Sequence, residues 1–113
     1  MPFKQGVKPC LVLPKGDQSK FRARLRSLGY KVHQGLRTTR KDEIRAWVRA
    51  IRQGRQVHVQ EEKLDNGDIA VYAHTEPEGQ TLDHLLSALF DEASFQGGAK
   101  VLLRDLESTG WAA

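Results

Sequence analysis

The sequence predicts a small α/β (α+β) domain, and three features of its 113 residues support this. Apolar residues recur at helical spacing in several segments, and two β-rich runs flank a glycine-containing turn. A chain of this length can bury one hydrophobic core and is too short for two. We therefore expect one domain over residues 1–113, with helices packed on a four-stranded mixed sheet in the order β-α-β-α-β-β-α-α.

The first predicted elements are a short strand and an amphipathic helix. Residues 10–13 form an apolar run between prolines, which predicts a strand. Phe21 and Leu25 lie one turn apart and predict a helix that ends at Gly29. Residues 30–34 alternate apolar and polar side chains, which predicts a second, half-buried strand. Strands joined through a helix are expected to be parallel, with a right-handed crossover.

The segment 39–54 is predicted to form a second helix. Its apolar residues fit the helical template: Ile44, Trp47, Val48 and Ile51. Thr39 can cap its N-terminus, and Gly54 can stop its C-terminus. On such a helix a row of bases would lie beside the apolar face: Lys41, Arg45, Arg49 and Arg52.

A β-hairpin is predicted over residues 56–75, with Asp-Asn-Gly at its turn. A two-residue Asn-Gly turn would divide the small apolar residues between the two faces. A three-residue loop, with the glycine in the left-handed conformation, pairs Val59 with Ala73 and gathers them on one face. We therefore expect the three-residue loop, which also places His58 opposite His74 on the other face.

The C-terminal part is predicted to be helical. An apolar stripe over residues 82–93 predicts a helix that Gly97 and Gly98 stop. This stripe either covers the sheet or mediates a homodimer. Residues 99–108 fit a short helix or a strand, and their helix-forming side chains favour the helix. Trp111 is expected to pack the tail against the body of the domain.

The composition and termini point to a cytoplasmic protein. No apolar run approaches the roughly 20 residues that cross a bilayer, and none has the length of a signal-peptide core. The single Cys10 cannot form an internal disulfide, and its apolar neighbours predict a small buried hydrophobic residue. Residues 1–7 are expected to form a flexible N-terminal tail, and residues 110–113 a C-terminal tail.

Charge is distributed very unevenly along the chain. Up to Arg55 there are fifteen Lys and Arg against three acids, and after it three bases against eleven acids. The formal net charge of +4 conceals this separation. Such polarity bears on partners and association rather than on fold.

The leading β-α-β-α-β-β order, over about residues 9–75, resembles that of the Alba-type chromatin proteins. It also resembles the order in the C-terminal domain of translation initiation factor three. Many of these proteins bind nucleic acids, so the resemblance implies a nucleic-acid-binding function. It concerns element order only, since no sequence motif is shared, and it assigns no site residue.

The basic residues predict a binding module without enzymatic activity or cofactor, which holds DNA or RNA nonspecifically. The candidate nucleic-acid-binding residues are Lys20, Arg22, Arg24, Arg26, Lys41, Arg45, Arg49 and Arg52. In one alternative, the stems of these side chains cover the rim of the core around Trp47 and Phe21. In another, the basic half docks an acidic surface within the fold, on a protein partner or on a second copy.

The histidines offer a second candidate site. As a cross-strand pair, His58 and His74 could bind zinc if Glu62 or Glu76 joined them. An exposed or lightly packed pair without metal is the interpretation that we favour for these residues. No local motif places Ser, Cys or Asp beside a histidine, so nucleophilic catalysis has no support in the sequence.

Overall fold

The described parts of the chain form an antiparallel sheet with two helices packed against it. The structure, a computed structural model, describes residues 8–32, 44–77 and 92–111. Its elements are β1 (Leu11–Leu13), a 3-10 turn (Lys15–Asp17), α1 (Gln18–Ser27), β2 (Lys31–Val32), β3 (Ile44–Ile51), β4 (Arg55–Lys63), β5 (Ile69–Pro77) and α2 (Glu92–Ser108). The strands lie in the order β1-β5-β4-β3-β2. The mixed α+β class and the small compact domain are confirmed, whereas the sheet has five strands instead of four and is wholly antiparallel.

The two strands that flank α1 lie at opposite edges of the sheet, so the predicted parallel pair is wrong. β1 pairs with β5 and β2 pairs with β3, both in antiparallel fashion. The hairpins of β3, β4 and β5 occupy the centre, which leaves only the edges for the shorter strands. α1 connects these edges and buries Phe21 and Leu25 completely. It is followed by Gly29 at φ 92°, as the predicted helix end requires.

The predicted second helix is a strand over its described part. β3 pairs with β4 along its whole length, with Trp47 opposite Val59. Aromatic and β-branched residues that fit a helical spacing also suit a pleated strand, and pairing with β4 decides between them. Gly54, the predicted helix stop, follows Gln53 in a hairpin turn, with φ values of 69° and 65°. With a strand in place of the predicted helix at Ile44–Ile51, the described elements do not follow the order that resembled the Alba-type proteins and initiation factor three.

The β4–β5 hairpin confirms the predicted register. Val59 lies opposite Ala73, and His58 lies opposite His74. The Leu64 N–H donates to the Asp68 carbonyl at 2.7 Å, which closes a three-residue loop. The glycine of this loop has φ 93°, a left-handed conformation that costs other residues more.

α2 runs without a break through Gly97 and Gly98, so the predicted stop there is wrong. The predicted helix over residues 99–108 is confirmed. At Gly98 the helix passes so close to β5 that an added Cβ would lie 2.4 Å from the main-chain N and Cα of His74. Ser94 also donates a hydrogen bond to the Thr75 carbonyl on the same strand. Gly98 therefore allows a close helix–strand approach and does not end the helix.

The main core lies between the helices and one face of the sheet. Its buried members are Leu13, Phe21, Leu25, Tyr30, Trp47, Val57, Val59, Ile69, Val71, Ala73, Leu102 and Leu106. Trp111 packs edge-on against Phe21, with 5.8 Å between ring centroids. The predicted packing of this tail residue is therefore confirmed.

Several predictions fall outside the described residues. They concern the N-terminal tail (1–7), the helix cap at Thr39, Lys41 and the greater part of the apolar stripe (82–91). Within the described ranges, neither helix combines the length and the apolar character that a membrane crossing requires.

Cys10 is half-buried, and its Sγ donates to the Val71 carbonyl at 3.3 Å. Burial raises the pKa of this thiol to about 12. Because the thiolate is the reactive species, we expect alkylation by iodoacetamide at pH 8 to be at least about 100-fold slower in the folded protein than in urea. Mass spectrometry of timed samples measures both rates. Comparable rates in the two states would contradict the burial of this thiol.

Candidate functional site

The structure does not bring the predicted binding residues into one helical row. Because β3 is a strand, Arg49 shares a face with Trp47, and Arg52 lies in the turn that follows. The predicted geometry of the row is therefore wrong. Lys41 and the side chain of Arg45 lie outside the part that the structure describes.

Arg22 is held by a buried carboxylate. Its Nε lies 3.0 Å and its Nη2 also 3.0 Å from Glu61 Oε1, and Glu61 is 2% exposed. The same carboxylate accepts hydrogen bonds from Trp47 Nε1 at 2.7 Å and from Gln18 Nε2 at 3.0 Å. Charge-assisted bonds of this kind are stronger than neutral ones. These bonds fix the Arg22 side chain against Glu61, so it is poorly placed to contact a partner.

Asp105 holds Arg49 in a similar way. Arg49 Nη1 and Tyr30 Oη each lie 2.8 Å from Asp105 Oδ2. Burial, with the nearby Asp105 carboxylate, raises the pKa of Tyr30 above its ordinary value. Like the Arg22–Glu61 pair, this ion pair joins the basic half of the chain to the acidic half. One alternative drawn from the sequence, attraction between the halves within the fold, is thus present in the described structure.

Three other predicted bases lie over tryptophan rings. Lys20 Nζ and Arg24 Cζ are 5.4 and 5.8 Å from the Trp111 ring, and Arg26 Cζ is 5.3 Å from Trp47. Arg24 Nη1 also donates a hydrogen bond to the main-chain carbonyl of Thr109. The charged groups themselves, and not only the stems named in the sequence alternative, thus lie over aromatic rings of the core and its edge. Lys20 and Arg26 are nevertheless exposed residues.

Charge at the described surface is strongly positive. Ten described bases are exposed: Lys8, Lys15, Lys20, Arg26, Lys31, Arg52, Arg55, Lys63, Lys100 and Arg104. Among the described carboxylates, two are exposed, those of Asp65 and Glu107. Glu61 and Glu76 are buried, so these two carboxylates do not contribute to the charge of the described surface.

A cluster of polar residues lies on the opposite face of the sheet from the main core. Alternation along β4 and β5 places His58, His74 and Glu76 there, each at most 1% exposed. His58 Nδ1 lies 2.6 Å from Glu76 Oε1, and His74 Nε2 lies 3.4 Å from Glu76 Oε2. The two imidazole rings meet edge to face, with 5.5 Å between centroids. The expectation of an exposed or lightly packed histidine pair is therefore wrong.

Hydrogen bonds from neighbouring side chains hold the Glu76 carboxylate in place. Gln56 Nε2 donates to Glu76 Oε1 at 2.9 Å and lies 3.4 Å from His58 Nε2. Burial raises the pKa of Glu76, but hydrogen bonds from His58, His74 and Gln56, together with the charge of His58, outweigh it and lower that pKa to about 2. The carboxylate is therefore ionised at neutral pH inside the protein.

The sequence analysis named Glu62 and Glu76 as possible partners of the two histidines. In the structure the histidines contact Glu76. Glu62 instead accepts a hydrogen bond from Tyr72 Oη at 3.3 Å. Glu76 lies two residues after His74, and residues two apart on a strand share a face. This spacing is the signal in the sequence that could have identified Glu76. The role of Glu61 had no such signal, because its partners lie on α1 and β3.

The described residues thus present an excess of exposed bases at the surface and a buried set of nitrogen and oxygen donors on the sheet face away from the main core. No family model matches the chain, and neither the curated proteins nor the solved structures contain a match.

Proposed function

We propose that this protein is a small cytoplasmic binding module, without enzymatic activity, that holds DNA or RNA nonspecifically. The observation that supports this is the excess of ten exposed bases over two exposed carboxylates at the described surface. Neutralisation of phosphates by Lys and Arg supplies essentially all of the affinity in nonspecific binding. A positive surface of this kind also accelerates association with a polyanion.

The contact residues that we propose are four bases on the outer side of the two helices. These helical bases are Lys20, Arg26, Lys100 and Arg104, and all four are exposed. Lys100 and Arg104 lie about one turn apart on α2, whereas Lys20 and Arg26 lie six residues apart on α1. Arg22 and Arg49 are left out, since their charge is neutralised by carboxylates.

A protein partner is the second candidate. An acidic protein surface and a phosphate backbone are both polyanions, so the same excess of exposed bases supports docking of either. The acidic surface could also belong to a second copy, which would make the protein a homodimer. Light scattering across ionic strength separates these cases. A dimer that dissociates at high salt supports self-association, and a monomer at all salt concentrations contradicts it.

The salt dependence of binding tests the proposal directly. We expect fluorescence anisotropy with a 20-base-pair duplex and with single-stranded RNA to show affinity that falls by about 100-fold from 50 to 200 mM salt, as about four phosphate contacts require. The double variant Lys20→Gln/Arg26→Gln is expected to bind more weakly. Its plot of log affinity against log salt should be shallower by about 2, one unit for each lost contact.

A matched variant controls for net charge. Lys31→Gln/Lys63→Gln also removes two exposed bases, which lie on β2 and at the end of β4. We expect its salt slope to stay that of the unmodified chain, because these bases lie outside the helices. Absent or salt-insensitive binding at low ionic strength would contradict the function, and equal losses in both variants would contradict the choice of helical bases.

A further inference from the structure

The buried cluster on the far face of the sheet has the composition of a metal site. His58, His74 and Glu76 each offer one donor atom, and these atoms lie within 4.8 Å of one another. Two imidazoles and one carboxylate form the ligand set of many zinc sites and of non-haem iron sites. The site lies on the sheet face away from the main core and shares none of the bases proposed to bind nucleic acid.

The backbone that carries these ligands is held by paired strands. His58 lies on β4, directly opposite His74 on β5, and Glu76 follows two residues later on the same face. Donors about 2.0–2.1 Å from a tetrahedral zinc ion are separated by about 3.3 Å. The distance of 3.4 Å between His74 Nε2 and Glu76 Oε2 matches this value. The 2.6 Å between His58 Nδ1 and Glu76 Oε1 is that of a hydrogen bond and would have to lengthen when a metal ion binds. All three donor atoms lie within 4.8 Å of one another, so metal binding requires the side chains to rotate.

Two side-chain amides, those of Gln56 and Gln60, share the sheet face of the three ligands. Gln56 Nε2 donates to Glu76 Oε1 at 2.9 Å, which orients the carboxylate. Gln60 follows His58 on the same face of β4 and is 0% exposed. Its amide nitrogen and oxygen find no hydrogen-bond partner among the described residues. Because a buried amide is costly without partners, Gln60 indicates a bound polar species, such as a water molecule, next to the histidines.

Electrostatics also favour a cation at this position. Glu76 is a carboxylate with 1% exposure, and within the described ranges no Lys or Arg forms an ion pair with it. A buried carboxylate needs a compensating positive charge, which a protonated histidine or a metal ion can supply. A metal ion between the three side chains would replace the proton in these imidazole–carboxylate contacts and supply the positive charge.

We infer that His58, His74 and Glu76 bind one divalent transition-metal ion of the zinc type. Gln60 is placed to hydrogen-bond a water molecule on that ion. Neither assignment depends on the nucleic-acid proposal, since the two sites use different residues on different faces.

Zinc binding to the full chain tests this inference. After removal of metal with EDTA, titration against a chromophoric chelator is expected to give one Zn²⁺ per chain. Glu76→Gln keeps the shape of the side chain and removes its charge. We expect the zinc affinity to fall by more than about 100-fold, because loss of a residue that only orients a ligand costs at most about that much. Absence of stoichiometric zinc in the unmodified protein would overturn the site.

Glu62→Gln is the matched control, because it makes the same change on the same face of the sheet, outside the cluster. Its zinc affinity is expected to equal that of the unmodified chain, and a loss as large as that of Glu76→Gln would overturn the assignment. The unmodified protein provides a second measurement if Glu76→Gln does not fold. Imidazole NMR signals of His58 and His74 should shift up to one equivalent of Zn²⁺, and unchanged signals would reject the site.

Discussion

Replacement of Gly98 by alanine is expected to destabilise the folded protein by about 3 kcal/mol or more, at the upper end of the cost of overpacking. An added Cβ would lie 2.4 Å from the N and Cα of His74 and 2.7 Å from the carbonyl carbon of Ala73. These are main-chain atoms of a paired strand, so they cannot rotate away as a flexible side chain would. Urea unfolding followed by circular dichroism measures the change in the free energy of unfolding.

The neighbouring glycine provides a control with the same substitution. A Cβ at Gly97 would lie 3.7 Å from Thr75 Cγ2, an ordinary van der Waals distance. Since alanine is a better helix former than glycine by about 1 kcal/mol, Gly97→Ala should be neutral or stabilising. Similar effects of the two substitutions would show that α2 does not approach β5 at Gly98.

The second large effect is expected for Glu61→Ala, which should lower the free energy of unfolding by about 3 kcal/mol. Trp47 is completely buried, and its indole N–H would lose the acceptor that lies 2.7 Å away. Arg22 would lose its ion pair, but its side chain is 25% exposed, so water can replace part of that interaction. Thermal unfolding monitored by tryptophan fluorescence measures the loss.

Asp105→Ala is the corresponding control, because Asp105 also holds an arginine and an aromatic hydroxyl. The Arg49 and Asp105 side chains are 32% and 19% exposed, so water screens this pair more than the Glu61 pair. We expect a loss of about 1 kcal/mol. If Asp105→Ala were as destabilising as Glu61→Ala, burial would not be what distinguishes the two carboxylates.

Local patterns were sufficient for some elements and insufficient for others. The β4–β5 register followed from keeping Val59 and Ala73 on one face, a requirement with a period of two residues. β3 could not be distinguished from a helix, because its apolar residues satisfy the helical spacing while their β-branched and aromatic character suits a strand. The pairing partner that decides between them lies elsewhere in the chain.

The glycine pair of α2 shows the same limit of prediction from local sequence patterns. A glycine pair after an apolar stripe predicts a helix stop, since most helices that end in glycine use its left-handed conformation. In α2 neither Gly97 nor Gly98 has a positive φ, and the pair instead allows contact with β5. A close approach between a helix and a strand leaves no signal in the periodicity of either one.

The sequence by itself determined the pairing of His58 with His74, because alternation along paired strands is local. It also identified the basic residues of α1. Only the tertiary structure decided that the histidine cluster is buried and which bases keep their charge free for a partner. The physical reason is distance along the chain: Arg22 and Arg49 meet their carboxylates 39 and 56 residues away, and no local pattern encodes such contacts.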